Sequence, residues 1–261
     1  MKRWRAALVG LLALFLIGFG LLWFLPASWA VPLLATRLPG IRLEQVSGLL
    51  WDGRAGQVLS AKGEDLGQLS WQLSRRALLG ETRLQLNLHG ARMDFAGRME
   101  GHSASEAIWM DVHLRTDLAL LGPIPLLPMG QPLGVLHVDA DRVQLHGGWP
   151  LELDARVRWE KAALLTPRNG NVSLGNLLIT VQGSTSVLAG QVQDDGSGPL
   201  SINGQFQLSP LARRLTATAA PRHPNSALEW WLGGLGPADA SGKTHINYSG
   251  GLAAAIPEGA R

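Results

Sequence analysis

The sequence predicts a mainly β protein: a curled or twisted antiparallel β-sheet, built as an open sandwich, a half-barrel or a groove, preceded by one N-terminal transmembrane α-helix. Two observations lead to this fold class. Beyond residue 40, apolar and polar side chains alternate along most of the chain, which is the period of strands that bury one face and expose the other. The first 25 residues instead contain an uninterrupted apolar run, long enough to cross a bilayer.

The apolar run covers residues 6–25 and contains no charged side chain. A helix needs about 20 apolar residues to cross the hydrocarbon core, so we expect a transmembrane helix here. Residues 1–5 carry three basic side chains and the next one is Arg37. Because basic residues stay on the cytoplasmic side, the N-terminus is expected to be cytoplasmic. The alternative is a cleaved signal peptide, favoured by the triplet Ser28-Trp29-Ala30, although the apolar cores of signal peptides are shorter, about 7–15 residues.

Residues 26–40 form the predicted linker, with a short amphipathic helix over 32–38 that ends at Pro39-Gly40. Two placements of its leucines stay open, against the outer leaflet or on the following domain. Residues 41–250 form the predicted β domain and 251–261 a frayed tail. A two-part repeat, over about 41–132 and 133–250, is a further hypothesis, because each half contains a glycine-initiated run and an apolar-x-Trp-polar unit.

The alternating runs predict antiparallel strands, because parallel strands are buried on both faces and appear as continuous apolar runs. The connections contain Gly, Asp, Asn and Ser, which favour tight turns. Residues 120–132 hold four Pro and predict an irregular apolar crossover, and residues 226–232 predict a short helix. The crossover and the pair Trp230-Trp231 either mark a surface for a partner or lipid, or plug the open ends of the sheet. The predicted strands occupy residues 69–73, 84–88, 93–99, 108–114, 136–140, 151–159, 177–181, 187–192, 200–208 and 244–249.

The composition argues against several classes of function. The chain has no Cys, so disulfides, thiolate metal sites and thiol catalysis are excluded. Its net charge is +3, and three positive charges belong to residues 1–5, so no nucleic-acid partner is expected. The H-E-x-x-H, G-x-S-x-G, P-loop and G-x-G-x-x-G patterns do not occur. We therefore expect no catalytic residue, no cofactor and no metal.

His137, Asp139 and Asp141 come closest to a cation site, because positions i, i+2 and i+4 share one face of a strand. The simpler interpretation is the solvent face of that strand. The spacing also departs from the EF-hand pattern, since Val143 stands at the third ligand position. Four other carboxylates are expected on strand or loop surfaces, although two of them facing each other in a cleft would indicate a glycoside hydrolase. They are Asp94, Glu100, Glu106 and Asp111.

The most distinctive segment is residues 46–55, with the sequence VSGLLWDGRA. It follows the single predicted anchor and the Leu38-Pro39-Gly40 stop, and it precedes the strand that contains Leu69-Ser70-Trp71-Gln72. Later pieces are similar too, at residues 157–162 (VRWEKA) and 235–243. In this order the chain resembles protein N of the bacterial type II secretion system over nearly its whole length. The residues that carry the motif are Gly48, Trp51, Gly53, Trp71 and Trp159.

A structural role is expected for these five residues. Asp52-Gly53 is predicted to make a tight turn, with Trp51 packed beneath it. Gly48 is predicted to allow a β-bulge or a close approach of two strands.

The resemblance implies an accessory subunit of the bacterial inner membrane, with a single transmembrane helix and a periplasmic β domain. It implies association with the secretin channel and the inner-membrane platform, and no enzymatic activity. Two other functions stay open. One is a carrier of a hydrophobic ligand, such as a lipid, in a groove of the sheet, which is an analogy of architecture; the other is a carbohydrate-active enzyme.

Overall fold

The computed structural model of the protein describes residues 18, 20, 23–29, 40–101, 105–120 and 130–251. Most of the predicted transmembrane helix, the helix predicted over 32–38, the centre of the proline-rich crossover and the tail after residue 251 lie outside these ranges. Among these residues we find no helix whose length and hydropathy would let it span a bilayer. The transmembrane anchor therefore stays a prediction.

All strands in the described part of the chain belong to a single antiparallel sheet, in which neighbours in space are neighbours in sequence. The sheet is open, since β1 and β13 each pair with one described strand. The mainly β, antiparallel architecture predicted from the alternation is therefore confirmed. In chain order the strands are β1 (Arg42–Gly48), β2 (Asp52–Leu59), β3 (Asp65–Leu73), β4 (Thr82–His89), β5 (Met93–Gly101), β6 (Glu106–Asp117), β7 (Gln131–His146), β8 (Trp149–Thr166), β9 (Gly170–Ser184), β10 (Val187–Asp194), β11 (Leu200–Leu208), β12 (Ala212–Pro221) and β13 (Thr244–Gly251).

The two faces of the sheet differ in polarity, as the register of the strands makes clear. Directly paired residues of antiparallel strands point to the same face, so pairs can be followed from β1 to β13 as a row. One such row is apolar or glycine throughout: Val46, Ala55, Leu69, Leu88, Phe95, Leu114, Val138, Val157, Ile179, Val192, Gly204, Ala217 and Ile246. The adjacent row, on the opposite face, is polar except for Ala96: Ser47, Arg54, Ser70, Asn87, Ala96, His113, Asp139, Arg156, Thr180, Gln191, Gln205, Thr216 and Asn247. We call them the apolar row and the polar row.

A short helix, α1 (Ser226–Gly233), packs on the apolar face against β9 and β12. Its Leu228 and Leu232 are at most 1% exposed and belong to a buried cluster that includes Trp159 and Leu200. The side chain of Asn225 caps the helix, because its Oδ1 accepts a hydrogen bond from the Leu228 N–H at 3.1 Å. The helix predicted over 226–232 is confirmed.

A second buried cluster lies under β2 and β3 and contains Ala27, Val58 and Trp71. The 3-10 turn Leu118–Leu120, which begins the proline-rich crossover, touches both clusters, because Leu118 is buried in the first and Leu120 packs against the second. The described start of the crossover therefore lies on the apolar face of the sheet.

The turn before β2 lies earlier in the chain than predicted. Asp52 and Gly53 already belong to β2, and the turn comprises residues 49–52. It is closed by two backbone hydrogen bonds, from the Leu49 N–H to the Asp52 carbonyl at 2.9 Å and from the Asp52 N–H to the Leu49 carbonyl at 3.2 Å.

The boundary of the hypothetical repeat, between residues 132 and 133, falls inside β7. This strand pairs with β6 along Glu106–Asp117 and with β8 on its other side. The two halves share one continuous sheet, and their origin by duplication stays a prediction.

Candidate functional site

The sheet holds the segment that follows the predicted membrane helix. The Leu50 N–H donates a hydrogen bond to the Leu25 carbonyl at 2.9 Å, and Pro26 forms an isolated bridge with Leu49. Ala27 is 1% exposed within the cluster under β2 and β3. Residues 25–27 are thus held on the turn 49–52 by one backbone hydrogen bond, one isolated bridge and the burial of Ala27, and we call this contact the junction.

The shape of the turn at the junction requires glycine at position 48. Gly48 has a φ of +88°, which L-residues rarely adopt, and a Cβ built on it would lie 2.6 Å from the Asp52 carbonyl oxygen. Trp51, inside the turn, is 5% exposed. The conformation at Gly48 therefore brings the start of β2 back onto the end of β1.

Gly53 makes room for the indole of Trp71. A Cβ at Gly53 would lie 2.4 Å from Cζ2 of Trp71, and the two residues pair directly across β2 and β3. Trp71 is 8% exposed and its Nε1–H donates to the Leu50 carbonyl at 2.9 Å. Both backbone polar groups of Leu50 are therefore used at the junction, one by Leu25 and the other by Trp71.

The fifth motif residue, Trp159, lies apart on β8, five strands along the sheet from β3. It is also 8% exposed, and its Nε1–H donates to the Leu133 carbonyl at 3.0 Å. Gly134, next to that carbonyl, has a φ of +112°. Four motif residues therefore lie together at the junction: Gly48, Trp51, Gly53 and Trp71. Trp159 lies elsewhere, but like Trp71 it is buried and donates its indole N–H to a backbone carbonyl.

A groove of ≈ 710 Å³ opens next to the junction and is lined by Trp51, Asp52, Arg83 and Glu100, among others. The Arg83 guanidinium lies 3.5 Å from the Glu100 carboxylate, and both side chains are exposed. Such paired and solvated charges are typical of a sheet surface.

The other carboxylates considered as catalytic pairs also have partners on neighbouring strands. Asp94 lies 3.2 Å from Arg115, and Glu106 lies 3.6 Å from His146. Asp111 forms an ion pair with Arg98. Each carboxylate pairs with a basic side chain or a histidine, which does not match the arrangement of a glycosidase, in which two carboxyl groups face each other across a cleft.

His137 and Asp139 lie on the polar side of β7, and each pairs with a side chain of an adjacent strand. The Asp139 carboxylate is 2.8 Å from His113 Nδ1 and 4.0 Å from Arg158, whereas His137 is 3.5 Å from Glu160. Asp141 lies at a register shift between Ala140 and Arg142 and has no paired residue on β8, whereas His137 and Asp139 both have one. In the part of the chain that the structure describes, no three His, Asp or Glu side chains converge on a metal site.

Asp194, at the end of β10, has a carboxylate that the sequence analysis did not single out. Its side chain is 9% exposed. Burial raises the pKa of the carboxyl, but three hydrogen bonds outweigh this effect and hold the pKa below its usual range. The donors are the Ile202 N–H at 2.7 Å, the Arg222 guanidinium and the Gly196 N–H at 2.9 Å. These bonds tie the β10–β11 connection to the segment after β12.

We predict that Asp194→Asn destabilises the protein at neutral pH more than in acid. A carboxyl with a lowered folded-state pKa contributes stability above its unfolded value of about 3.9, and this contribution is lost as the pH falls through the folded-state pKa. The difference in free energy of unfolding between the wild type and Asp194→Asn should therefore be largest at pH 5–7 and shrink below about pH 4. Urea unfolding followed by circular dichroism measures it. Asp154→Asn, at an exposed position of β8, is the control, and equal pH dependence of the two variants would contradict the prediction.

Comparison with known proteins identifies the family. The model of the family described as type II secretion system (T2SS), protein N, matches residues 39–247. A relative from Aeromonas hydrophila named type II secretion system protein N is 27% identical over 252 residues, covering 91% of this chain and 96% of the relative. Proteins of the same name from Klebsiella pneumoniae (29% over 227 residues, 83% and 85% covered) and Vibrio cholerae (27% over 214 residues, 74% and 80% covered) are also similar. No solved structure matches the chain.

The matched region runs from just before β1 into β13, so it includes the whole turn 49–52 and all five motif residues. The resemblance that was drawn from residues 46–55 and the later tryptophans is thereby confirmed. The chain belongs to the type II secretion system protein N family, whose members are components of the bacterial secretion machinery.

Proposed function

We propose that the protein is a non-catalytic accessory subunit of the type II secretion machinery, anchored in the inner membrane by residues 6–25, with its sheet in the periplasm. The observation that carries this proposal is the junction. Four of the five motif residues meet where the Leu25 carbonyl accepts a hydrogen bond from the Leu50 N–H and Pro26 bridges Leu49. The motif would thus serve to hold the sheet firmly on the end of its anchor, which suits a connector between membrane and periplasmic partners.

The edges of the sheet are the surfaces proposed to contact the secretin or the inner-membrane platform. Edge strands present unpaired N–H and C=O groups that can accept a further strand. On β13, Thr244 bridges Ala238 and the His245 N–H donates to the Pro237 carbonyl at 3.2 Å, so the first part of this edge is covered. On β1, Gln45 has a φ of 54° and interrupts the regular edge. We therefore expect a strand of the partner subunit to pair with the later part of β13 rather than with β1.

Photo-crosslinking in cells that express the secretion system tests this proposal. A photoreactive amino acid replaces Asn247 in β13 or Glu44 in β1. Gln191 in β10, an interior strand paired on both sides, is the control. All three positions are exposed. We expect adducts with secretin or platform subunits at an edge position and none at Gln191. The proposal fails if neither edge yields such an adduct, or if all three positions yield the same one.

A second candidate function, carriage of a hydrophobic ligand, is favoured by one observation. Eight consecutive members of the apolar row, from Leu69 in β3 to Val192 in β10, are only half-buried. An apolar surface that extends over so many adjacent strands exceeds the scattered apolar side chains of an ordinary protein surface. Acyl chains have the chemistry to lie along it.

Mass spectrometry of the purified full-length protein tests this second function. We expect co-purifying lipid with the wild type and with Arg156→Asp on the polar row, and loss of the lipid in Val157→Asp on the apolar row. These two residues are neighbours on β8 and point to opposite faces. Absence of lipid from the wild type would exclude the carrier function.

A further inference from the structure

Exposed apolar and basic side chains surround the point where residues 23–29 reach the sheet. Phe24 is 68% exposed and Trp29 70%, on either side of the junction, and Leu79 in the connection between β3 and β4 is 85% exposed. Single exposed apolar residues are ordinary on protein surfaces, but a group of large ones marks an interaction site. We call the following residues the interfacial patch: Phe24, Trp29, Arg75, Arg76, Leu78 and Leu79.

The two parts of the patch are close in space. The Arg75 guanidinium carbon lies 4.3 Å from the centroid of the Trp23 ring. Arg75 begins the 3-10 turn Arg75–Leu79, and a turn of five residues is only about 10 Å long. Leu78 and Leu79 belong to this same turn, so the turn that carries them contacts Trp23, near the end of the predicted transmembrane helix, through Arg75.

The 3-10 turn is held in a defined shape, so the exposure of its leucines does not come from fraying. The Ser74 side chain accepts a hydrogen bond from the Arg76 N–H at 3.2 Å, and the Ser74 N–H donates to the Arg83 carbonyl at 2.8 Å. At the other end Gly80 has a φ of +90° and its N–H donates to the Ala77 carbonyl at 3.2 Å. The turn thus presents Leu78 and Leu79 to the surroundings on a fixed support.

The composition of the patch matches the interfacial layer of a bilayer. Tryptophan rings favour the headgroup level, which suits Trp29 in the patch and Trp23 beside it, near the C-terminal end of the apolar run 6–25. Arginines keep the guanidinium among headgroups while their stems lie on apolar surface, and they are attracted to anionic lipids. Leucines next to them can enter the boundary of the acyl chains.

We propose that the interfacial patch lies in the headgroup layer of the membrane that anchors the chain, so that the connection between β3 and β4 rests on the bilayer. The inference depends on the proposed anchoring by residues 6–25. It adds a second attachment, which would set the tilt of the first strands relative to the membrane. A single helix followed by a flexible linker would leave the sheet free to rotate, whereas the junction and the patch together restrict it.

The absence of Cys from the chain permits a direct test with single-cysteine variants of the full-length protein. Leu79→Cys is labelled with the environment-sensitive fluorophore NBD and reconstituted in vesicles of phosphatidylethanolamine and phosphatidylglycerol. Leu165→Cys is the matched control, because Leu165 is 46% exposed at the opposite end of the strands. Nitroxide-labelled lipids quench a label at the bilayer surface, and aqueous iodide quenches a label in water.

We expect quenching of the label at position 79 by nitroxide lipids, a shift of its emission to shorter wavelength, and protection from iodide; the label at 165 should show the reverse. Flotation of the vesicles reports anchoring separately. If the protein floats but the label at 79 is quenched by iodide and not by nitroxide lipids, the patch is refuted while the anchor stands. If the protein does not float, the anchor itself is refuted, and the patch with it.

Discussion

Replacing Trp71 by alanine is expected to lower the free energy of unfolding by about 3–5 kcal/mol. The substitution removes a large ring that is 8% exposed in the cluster under β2 and β3, and the surrounding sheet can fill the cavity only in part. It also leaves the Leu50 carbonyl without the Nε1–H donor that lies 2.9 Å away. Urea unfolding of the full-length protein in detergent, followed by circular dichroism, measures the change.

Two controls separate packing from hydrogen bonding at this position. Trp71→Phe keeps most of the apolar volume but removes the Nε1–H donor, so a smaller loss of about 1–3 kcal/mol is expected. Ser70→Ala changes the exposed neighbour on the opposite face and should alter stability by less than about 0.5 kcal/mol. Hydrogen exchange of the Leu50 amide, which donates to Leu25, should become faster in Trp71→Ala. An effect of Trp71→Ala no larger than that of Ser70→Ala would show that the junction is not a packed unit.

Leu228→Ala in α1 is expected to destabilise the protein by about 2–5 kcal/mol. Leu228 is 0% exposed and packs with Trp159 and Leu200 in the larger buried cluster, so its removal creates a cavity between the helix and the sheet. The matched control is Trp230→Ala on the same helix, where the side chain is 39% exposed and contacts Arg168. The same unfolding measurement compares both variants.

A larger loss of stability in Trp230→Ala than in Leu228→Ala would contradict the assignment of α1 as a cover of the apolar face. A second readout is the binding of an apolar dye such as ANS, which should increase in Leu228→Ala if α1 separates from the sheet. The control is expected to bind the dye like the wild type.

Ten of the thirteen described strands, all except β1, β2 and β12, could be predicted because their signal is local. In β4, half-buried and exposed residues alternate without interruption, and the same period is visible in the sequence. The helix over residues 226–232 could be predicted for the same reason, since cap residues act within a few positions. The turn before β2 was placed wrongly because Gly53 resembles a turn glycine, whereas the structure uses it to accommodate Trp71 across the strand.

The features that sequence reasoning missed depend on contacts between distant positions. Asp194 and Arg222 are 28 residues apart, and their pairing follows from the arrangement of β10 to β12. The hydrogen bond between Leu50 and Leu25 joins two backbone groups, for which side chains carry no signal. Register shifts such as that at Asp141 also depend on two strands together. The spacing of His137, Asp139 and Asp141 along one strand therefore does not create a cation site. Asp139 pairs instead with His113 and Arg158 on the neighbouring strands.

Three properties can be read from the amino-acid sequence alone: alternate side chains share a face, the strands run antiparallel, and the motif around residues 46–55 belongs to a known family. These properties depend on the period of the side chains and on short segments, so a single chain contains the information. Three other properties became visible in the folded chain: all the described strands join one open sheet, α1 covers part of its apolar face, and the motif holds residues 25–27. Those arrangements require each strand to find its register against the next, and the free energy that selects the register comes from packing between residues far apart in the chain.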